Sequence, residues 1–282
     1  DFRYVGNKLY CEGVSVETLA KKFGTPLYVY SQRTLTNHFQ KLDRAMAPVD
    51  HLICFAMKSN SNQSVLRTIA NLGGGFDIVS GGELQRVIAA GGDPKKCVFA
   101  GVGKSEAEIE LALWRGVYSF NVESEPELQR INKVAARLKK IAPVAVRVNP
   151  NVDAHTHHKI TTGTYENKFG IALEQIEGVY ARASKLKNLR LRGLQMHIGS
   201  QLTAVSPFEQ AVGKVIPLAQ RLQKRHGIEF FSIGGGLGIV YQPALASGEA
   251  SWWQKDGKKI LTPEKYAARL VPLLKPLGLR IL

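Results

Sequence analysis

The stretch that organises the chain is CFAMKSNSN at residues 54–62, where an apolar run ends in a lysine and a polar turn. The apolar run covers residues 52–57 and has the length of a strand. Such a run, bounded by turn residues, is typical of a strand that is covered on both faces in a parallel sheet. Ligands of these sheets bind at the carboxyl ends of the strands. The sequence therefore predicts a buried strand that ends in Lys58 at a ligand-binding edge.

Lys58 has two interpretations. A lysine held in a partly apolar site has its ammonium form disfavoured, so it can act as an amine nucleophile and form a Schiff base. A lysine at a strand end can instead extend its ammonium into solvent. The position of Lys58 alone favours the second interpretation, and the rest of the chain must decide between them.

Strand-like and helical patterns alternate through the chain. The strand-like runs cover residues 52–57, 76–79, 97–100, 118–122, 144–148, 191–198, 230–233 and 279–282. The helical patterns cover residues 31–46, 63–72, 82–90, 106–114, 126–139, 173–185, 207–223 and 263–274. This alternation predicts an α/β fold, a closed (β/α)8 TIM-type barrel, because a doubly wound open sheet does not naturally supply eight such units.

The segment before the barrel pattern has a different character. Residues 1–14 predict a hairpin, residues 15–23 a helix, and residues 26–30 a strand. We assign residues 1–25 to a hairpin-and-helix segment and residues 26–282 to the barrel. An isolated hairpin is marginal in water, and the eighth strand coincides with the last residues. We therefore expect a C-terminally truncated sequence whose hairpin joins a β domain beyond the eighth strand.

Composition is that of a soluble globular protein, with 44% hydrophobic and 22% charged residues. The sequence contains no apolar run long enough to cross a bilayer and no secretory signal pattern at its start. Its cysteines, Cys11, Cys54 and Cys97, give neither a disulfide framework nor a zinc-binding pattern. We therefore expect a cytoplasmic protein with no membrane partner.

The formal net charge of +15 suggests nucleic-acid binding, because basic surfaces release counterions from phosphate backbones. The lysines and arginines are, however, scattered along helical patterns such as residues 182–192 and 220–225, without an aromatic-interleaved basic stripe. We interpret them mainly as solvent-exposed helix faces that attract anionic substrates, and we expect no nucleic-acid partner.

Residues after the sixth and seventh predicted strands predict a ligand site. Gly234, Gly235 and Gly236 open a GGGLG motif in a loop that commonly binds phosphate in α/β barrels, because glycine exposes backbone N–H groups to an anion. Ser200 can donate its hydroxyl to the same phosphate. His197 can stack on a planar ligand, act as an acid or base, or lie in the core, and without context the core is favoured.

Asp77 and Arg147 are charged residues at predicted strand ends. Asp77 either orients or neutralises Lys58, or it caps the helix that follows residues 80–82. Arg147 either holds an anionic or phenolate oxygen, or it is a structural ion-pair partner. Farther on, His155, His157 and His158 lack metal-ligand spacing, so we interpret residues 153–170 as a polar lid and expect no metal.

The combination is more specific than its parts, because a Schiff-base lysine, a ring-stacking histidine and a glycine phosphate loop together describe a pyridoxal phosphate pocket. The chain resembles the barrel-fold, alanine-racemase-like pyridoxal phosphate decarboxylases, and among them the diaminopimelate decarboxylases, over essentially its whole length. The motifs that carry the resemblance are FAMKSN (55–60), GFDIVSGGEL (75–84), FAGVGKSEAEI (99–109), FNVES (120–124), RVNPNVDAHTH (147–157), NKFGI (167–171), MHIGSQ (196–201) and GGGLG (234–238).

The resemblance implies a role for each candidate residue. Lys58 would form a Schiff base with pyridoxal 5'-phosphate, His197 would stack on its pyridine ring, and Ser200 with residues 234–236 would bind its phosphate. Asp77 would lie beside the lysine, and Lys58, His197 and Asp77 would be the catalytic residues. Arg147 would lie beside the cofactor.

The resemblance also implies an activity, which is decarboxylation of meso-2,6-diaminopimelate to L-lysine and CO2, the last step of lysine biosynthesis. It implies a homodimer with active sites at the interface. The glutamate that pairs with the pyridine nitrogen, a catalytic cysteine and further substrate-binding residues would lie beyond Leu282, so we expect the chain as given to be weakly active or inactive. The alternatives are a decarboxylase of arginine or another diamino acid, and a non-catalytic pyridoxal phosphate carrier.

Overall fold

Strands and helices alternate along the structure, a computed structural model that describes residues 1–152, 169–240 and 260–282. The strands are β1 (Phe2–Val5), β2 (Lys8–Cys11), β3 (Val14–Ser15), β4 (Cys54–Ala56), β5 (Gly75–Ile78), β6 (Cys97–Phe99), β7 (Ser119–Val122), β8 (Ala142–Asn149), β9 (Ile171–Ala172), β10 (Leu189–Met196), β11 (Phe230–Ser232) and β12 (Arg280–Ile281). The α-helices are α1 (Val16–Phe23), α2 (Gln32–Met46), α3 (Gln63–Asn71), α4 (Gly81–Ala89), α5 (Glu106–Arg115), α6 (Glu125–Arg137), α7 (Ile176–Ala183), α8 (Ser206–His226) and α9 (Pro263–Leu274).

Parallel pairing joins the barrel strands in the order β4, β5, β6, β7, β8, β10, β11 and β12. The sheet closes because the residues that lead into β4 pair with β12. The N–H of Leu52 donates to the carbonyl of Ile281 at 2.9 Å, and the N–H of Ile281 donates to the carbonyl of Asp50 at 2.8 Å. The predicted (β/α)8 TIM-type barrel is confirmed.

Side chains alternate between the two sides of the barrel wall, as the pleat of a strand requires. Most buried apolar side chains pack between the strands and the surrounding helices. A separate cluster of Val98, Tyr118, Ala145 and Phe230 packs together, with the rings of Tyr118 and Phe230 5.3 Å apart in an edge-to-face arrangement. Because Tyr118 and Phe230 stand at the beginning of their strands, this cluster fills the barrel near the amino ends and leaves the carboxyl ends for a site.

The N-terminal segment forms a small antiparallel sheet, β1–β2–β3, followed by α1. The predicted hairpin and helix are confirmed. The strand predicted at residues 26–30 is wrong, since this stretch is irregular. Its residues alternate between half-buried and exposed, but Pro26 has no N–H to donate and the stretch pairs with no strand in the described part of the chain.

The first barrel strand also differs from its prediction. β4 covers only three residues, and Lys58 follows it in a short 3₁₀ turn (Met57–Ser59) rather than ending the strand. Of residues 52–57, Met57 is buried and the others are half-buried, so the predicted burial on both faces is wrong. The reason is a cavity, which Leu52, Ile53, Cys54 and Ala56 help to line.

The interpretation of residues 153–170 as a polar lid concerns a segment that lies outside the described ranges except for Phe169 and Gly170, so His155, His157 and His158 are not described. In the part of the chain that the structure describes, none of the helices combines the length and apolar character needed to span a membrane.

Candidate active site

A cavity of about 300 Å³ lies at the carboxyl ends of the barrel strands, and its volume suits a small ligand. It collects side chains and glycines from β5 and β8 and from the segments that follow β4, β10 and β11. All of the residues predicted for the site line it, namely Lys58, Asp77, Arg147, His197, Ser200, Gly234, Gly235 and Gly236. Barrel closure thus brings together groups that are far apart in the sequence.

Lys58 reaches the cavity from the turn after β4 and Asp77 from the neighbouring strand β5, where Asp77 pairs with Ala56 at the end of β4. Burial raises the pKa of Asp77 to about 6, and the positive charge of Lys58 is the strongest influence that opposes this rise. The interpretation of Asp77 as a helix cap is wrong. The side chain of Ser80 caps α4 by accepting a hydrogen bond from the N–H of Glu83 at 3.2 Å.

Arg147 is held in an ion pair, one of its two predicted roles, with a partner that the sequence motifs did not reveal. Its Nη1 donates to Oε1 of Glu123 at 2.8 Å, and both side chains are buried. Its Nη2 donates to the carbonyl of His197 at 3.4 Å, and its guanidinium lies 5.1 Å from the centroid of the Phe169 ring. Arg147 is therefore an ion-pair partner that also lines the cavity.

His197 lies at the cavity rather than in the hydrophobic core. Burial lowers the pKa of this imidazole to about 3, and the positive charges of Arg147 and Lys58 act in the same direction. A hydrogen bond with the backbone of Gly235 acts in the opposite direction, more weakly. The imidazole is therefore neutral near pH 7.

The glycine loop after β11 is bonded to the loop after β10. The N–H of Leu202 donates to the carbonyl of Gly236, and the N–H of Gly238 donates to the carbonyl of Leu202, both at 2.8 Å. These bonds fix the two loops that carry the predicted phosphate-binding residues against each other.

Two of the glycines are required by the backbone. Gly234 and Gly236 have φ values of +74° and +112°, which residues other than glycine rarely adopt. A Cβ at Gly234 would lie 2.5 Å from the carbonyl oxygen of Met196, and one at Gly236 would collide with the carbonyl oxygen of Gly199. Gly235 is exposed and a Cβ there would meet nothing within 4 Å. The result is an open backbone turn of the kind that binds phosphate.

Three further buried polar residues at or beside the site were not predicted from the sequence. Oδ1 of Asn121, Oε2 of Glu123 and Oε1 of Gln195 are buried and have no hydrogen-bond partner among the described residues. Asn121 and Gln195 line the cavity. A signal for both exists in the sequence, because each is a polar residue between two apolar ones in a strand, at a position that the pleat directs into the barrel.

The cysteine at the cavity is not a reactive thiol. Cys54 lines the cavity, and burial raises the pKa of its thiol far above the usual value, with the charge of Asp77 adding to the rise. Burial likewise raises the pKa of Cys97 to about 12. Both sulfurs are therefore protonated thiols near neutral pH.

The sequence matches the protein family described as "Pyridoxal-dependent decarboxylase, pyridoxal binding domain" over residues 32–261. The chain belongs to this family. The matched range contains the cavity residues from Lys58 to Gly236, whereas β1, β2, β3 and α1 precede it.

Curated relatives are other members of the decarboxylase family. The diaminopimelate decarboxylase of Vibrio cholerae is 52% identical over 240 residues, which cover 84% of this chain and 57% of that protein. The diaminopimelate decarboxylase of Pseudomonas aeruginosa is 51% identical over 249 residues, which cover 87% and 60%. The chain thus spans less than two thirds of the length of these relatives.

Solved structures agree with the barrel fold. Diaminopimelate decarboxylase from Helicobacter pylori, complexed with L-lysine, superposes with a TM-score of 0.85 at 37% identity, over 94% of this chain and 64% of that one. The enzyme from M. jannaschii gives 0.86 at 33% identity, over 99% and 65%. A lysine decarboxylase from Selenomonas ruminantium, at 21% identity and a TM-score of 0.78, shares the fold.

The residues at the cavity fit pyridoxal phosphate, the cofactor of this decarboxylase family. An aldehyde requires a primary amine, and Lys58 brings one to the cavity. A phosphate requires backbone donors, and the turn at residues 234–236 is shaped for them. The acceptor oxygens of Asn121 and Gln195, which the described protein leaves without partners, add unused hydrogen-bonding capacity.

Proposed function

We propose that the chain is the cofactor-binding barrel of a pyridoxal phosphate-dependent decarboxylase that converts meso-2,6-diaminopimelate to L-lysine and CO2. The observation that carries the proposal is one cavity that holds an amine, a carboxyl group, a neutral imidazole and a glycine turn. The identity of about half to diaminopimelate decarboxylases supports the substrate. A related enzyme was crystallised with L-lysine, the product of this reaction.

When bound, pyridoxal phosphate supplies an electron-withdrawing ring for the carbon that loses CO2. Lys58 would supply the primary amine that holds the aldehyde group of the cofactor. Asp77, whose pKa burial raises to about 6, is mostly ionised at neutral pH and then balances the positive charge of Lys58.

The other cavity residues bind and orient. His197 presents a neutral ring, which would stack on a planar cofactor without adding positive charge. The turn at residues 234–236 and the hydroxyl of Ser200 would bind its phosphate. Arg147, held by Glu123, places a fixed positive charge beside the cavity without being free to swing across it.

We extend the proposal to the domain organisation, assembly and localisation of the protein. Residues 1–25 form a segment that belongs in part to a separate β domain, residues 26–282 form the barrel, and the full-length protein is a cytoplasmic homodimer with active sites at its interface. Sedimentation of the full-length gene product tests the assembly, and a monomer with full activity would contradict it.

Absorbance spectroscopy tests the cofactor site. Purified protein is titrated with pyridoxal phosphate, and we expect a band at about 420 nm that is absent in Lys58→Ala. Lys21→Ala is the matched control, because Lys21 is an exposed lysine paired with Glu17 on α1. After borohydride reduction, the cofactor mass is expected on the peptide that contains Lys58. A band of equal intensity in Lys58→Ala would contradict the assignment.

Release of CO2 from meso-diaminopimelate by the full-length gene product tests the substrate. We expect L-lysine and CO2 in equal amounts, with no reaction in Lys58→Ala. A cofactor band without reaction on meso-diaminopimelate would contradict the substrate and direct the assay to arginine and other diamino acids. A band that none of these amino acids perturbs would favour a pyridoxal phosphate carrier.

A further inference from the structure

Lys104 is a lysine whose side chain has no exposed surface, although it does not line the cavity. Burial of an ammonium group is costly unless it is paired and fully hydrogen-bonded. Its Nζ donates to the carbonyl of Gly101 at 2.6 Å, to the carbonyl of Asn121 at 2.9 Å and to Oε1 of Glu127 at 2.7 Å. All three N–H groups of the ammonium thereby donate hydrogen bonds.

The three acceptors belong to different elements. Gly101 lies in the loop after β6, Asn121 lies on β7, and Glu127 lies in the first turn of α6. A single ammonium therefore ties together two neighbouring strand ends and a helix beside the cavity. The second carboxylate oxygen of Glu127 accepts the backbone N–H of Glu123 at 2.8 Å, which fixes the residue directly after β7.

Glu123 connects this buried pair to the cavity. Its side chain accepts the 2.8 Å hydrogen bond from Arg147, and Arg147 in turn donates to the carbonyl of His197. Continuous contacts thus run from Lys104 through Glu127, Glu123 and Arg147 to His197. The last two of these residues line the cavity, and the first three do not.

We propose that Lys104 is a positioning residue for the decarboxylation, acting through the Glu123–Arg147 ion pair. This inference rests on the function proposed above. The ammonium orients Glu127, Glu127 holds the backbone of Glu123, and the carboxylate of Glu123 keeps Arg147 against the loop that carries His197. Without Lys104, the carboxylate of Glu127 is a buried charge without its partner, and the group that fixes the backbone of Glu123 is no longer held in place.

The experiment compares variants of the full-length holoenzyme. Lys104→Met removes the ammonium. The double variant Lys104→Met with Glu127→Gln removes both charges and leaves no unpaired buried charge, so it provides a folded protein if the single variant is unstable. Lys21→Met is the control, because Lys21 has a carboxylate partner at 2.8 Å but lies on the surface. The measurements are kcat, KM, the melting temperature and the visible circular dichroism of the bound cofactor.

We expect both Lys104 variants to lose about tenfold or more in kcat with KM changed by less than about twofold, and to show an altered circular dichroism band of the bound cofactor. The control should match the parent enzyme in all four quantities. A lower melting temperature with unchanged kcat and an unchanged cofactor band would overturn the proposal, because that result describes a purely structural ion pair.

A double-mutant cycle tests the route. If Lys104 acts through Glu123, then Lys104→Met should change kcat by less than about twofold when Glu123→Gln is already present. Effects that multiply would show that Lys104 acts independently and would overturn the proposed route. A parent protein that binds pyridoxal phosphate but leaves meso-diaminopimelate unchanged would contradict the proposed function instead, and the cofactor circular dichroism would still test Lys104.

Discussion

At the residue scale, burial at the cavity disfavours the charged forms of Asp77 and His197. Burial raises the pKa of the Asp77 carboxyl to about 6 and lowers the pKa of the His197 imidazole to about 3, so both shifts favour the neutral form. The two groups differ in how they respond to Lys58 and Arg147. These positive charges oppose the shift of Asp77 and reinforce that of His197, which keeps His197 uncharged while Asp77 titrates near pH 6.

Asp77→Asn should stabilise the cofactor-free chain at neutral pH. The pKa of Asp77 is higher in the folded state than the ordinary value of 3.8, so the folded state binds more protons between about pH 4 and 6 and the free energy of unfolding falls as pH rises through that window. We expect Asn to raise the free energy of unfolding at pH 7 by up to about 3 kcal/mol.

Urea unfolding at pH 4.5 and pH 7 measures this effect of Asp77. Asp43→Asn, at an exposed carboxylate on α2, is the control and should change the free energy of unfolding by less than about 0.5 kcal/mol at pH 7. An Asp77→Asn variant that is less stable than the parent at pH 7 would contradict the sign of the pKa shift.

Gly235 and Gly236, adjacent in the loop after β11, should differ in function, with Gly235 affecting cofactor affinity and Gly236 affecting stability. Gly236→Ala meets a positive φ and a backbone collision, so we expect it to lower the free energy of unfolding by about 2 kcal/mol or more. Gly235→Ala has open space, so stability should change by less than about 0.5 kcal/mol while affinity for pyridoxal phosphate falls about tenfold.

Urea unfolding without cofactor and a cofactor titration separate the two glycine effects. Gly103→Ala is a control, because a Cβ at Gly103 would also meet nothing within 4 Å and Gly103 does not line the cavity. Unchanged cofactor affinity in Gly235→Ala would exclude this backbone turn as the phosphate site.

At the element scale, one capping pattern recurs at three successive helices. Helices α4, α5 and α6 each begin with Ser-x-x-Glu, in which the serine side chain accepts the N–H of the glutamate three residues later. Each glutamate carboxylate in turn accepts a hydrogen bond from a backbone N–H at or just before the capping serine. Glu83 accepts from Val79, Glu108 from Ser105, and Glu127 from Glu123. At α4 and α6 the pattern thereby fixes the residues directly after β5 and β7 to the helices that follow.

Ser105→Ala should destabilise α5 by removing its cap. The serine accepts the N–H of Glu108, and the glutamate accepts the N–H of Ser105, so the full capping box is present. We expect the free energy of unfolding to fall by about 1 kcal/mol, measured by urea titration. Ser184→Ala, at an exposed serine after α7, should cost less than about 0.5 kcal/mol. Equal costs at the two serines would show that the cap does not contribute.

At the scale of the whole molecule, the last strand completes the cavity. Ile281 pairs with the residues before β4, is 1% exposed, and lines the cavity together with Leu282. The ion pair between Arg280 and Asp50 joins the same two segments at 3.0 Å, but it is exposed and contributes little. Burial of Ile281 and the backbone bonds therefore contribute more to closure at this seam than the ion pair does.

Ile281→Ala should weaken closure of the barrel. Removal of a buried isoleucine side chain leaves a void, so we expect the free energy of unfolding to fall by about 2–4 kcal/mol in a urea titration. Leu273→Ala on α9, where the side chain is 36% exposed, is the control and should cost less than about 1 kcal/mol. A cost for Ile281→Ala no greater than that of the control would mean that the barrel closes without this contact.

Sequence periodicity predicted the barrel because the spacing of apolar residues within a strand or a helix depends on the geometry of that element alone. The helix predicted at residues 263–274 has these bounds in the structure, since Thr262 caps it and Pro263 begins it. The strand predicted at residues 26–30 failed for the opposite reason. A strand needs a neighbour that supplies hydrogen bonds, and local apolar alternation carries no information about whether one is present.

Periodicity, glycines and strand-end positions are local properties, so they sufficed to predict the strand and helix order, the closed barrel and the candidate site residues from Lys58 to Gly236. The pairing of Arg147 with Glu123, the burial of Lys104 and the pKa shifts of Asp77 and His197 became visible only in the folded chain. These properties depend on distances between strands that closure of the barrel sets. Electrostatic interactions and desolvation act through space, so they follow from which strands become neighbours and not from their separation along the chain.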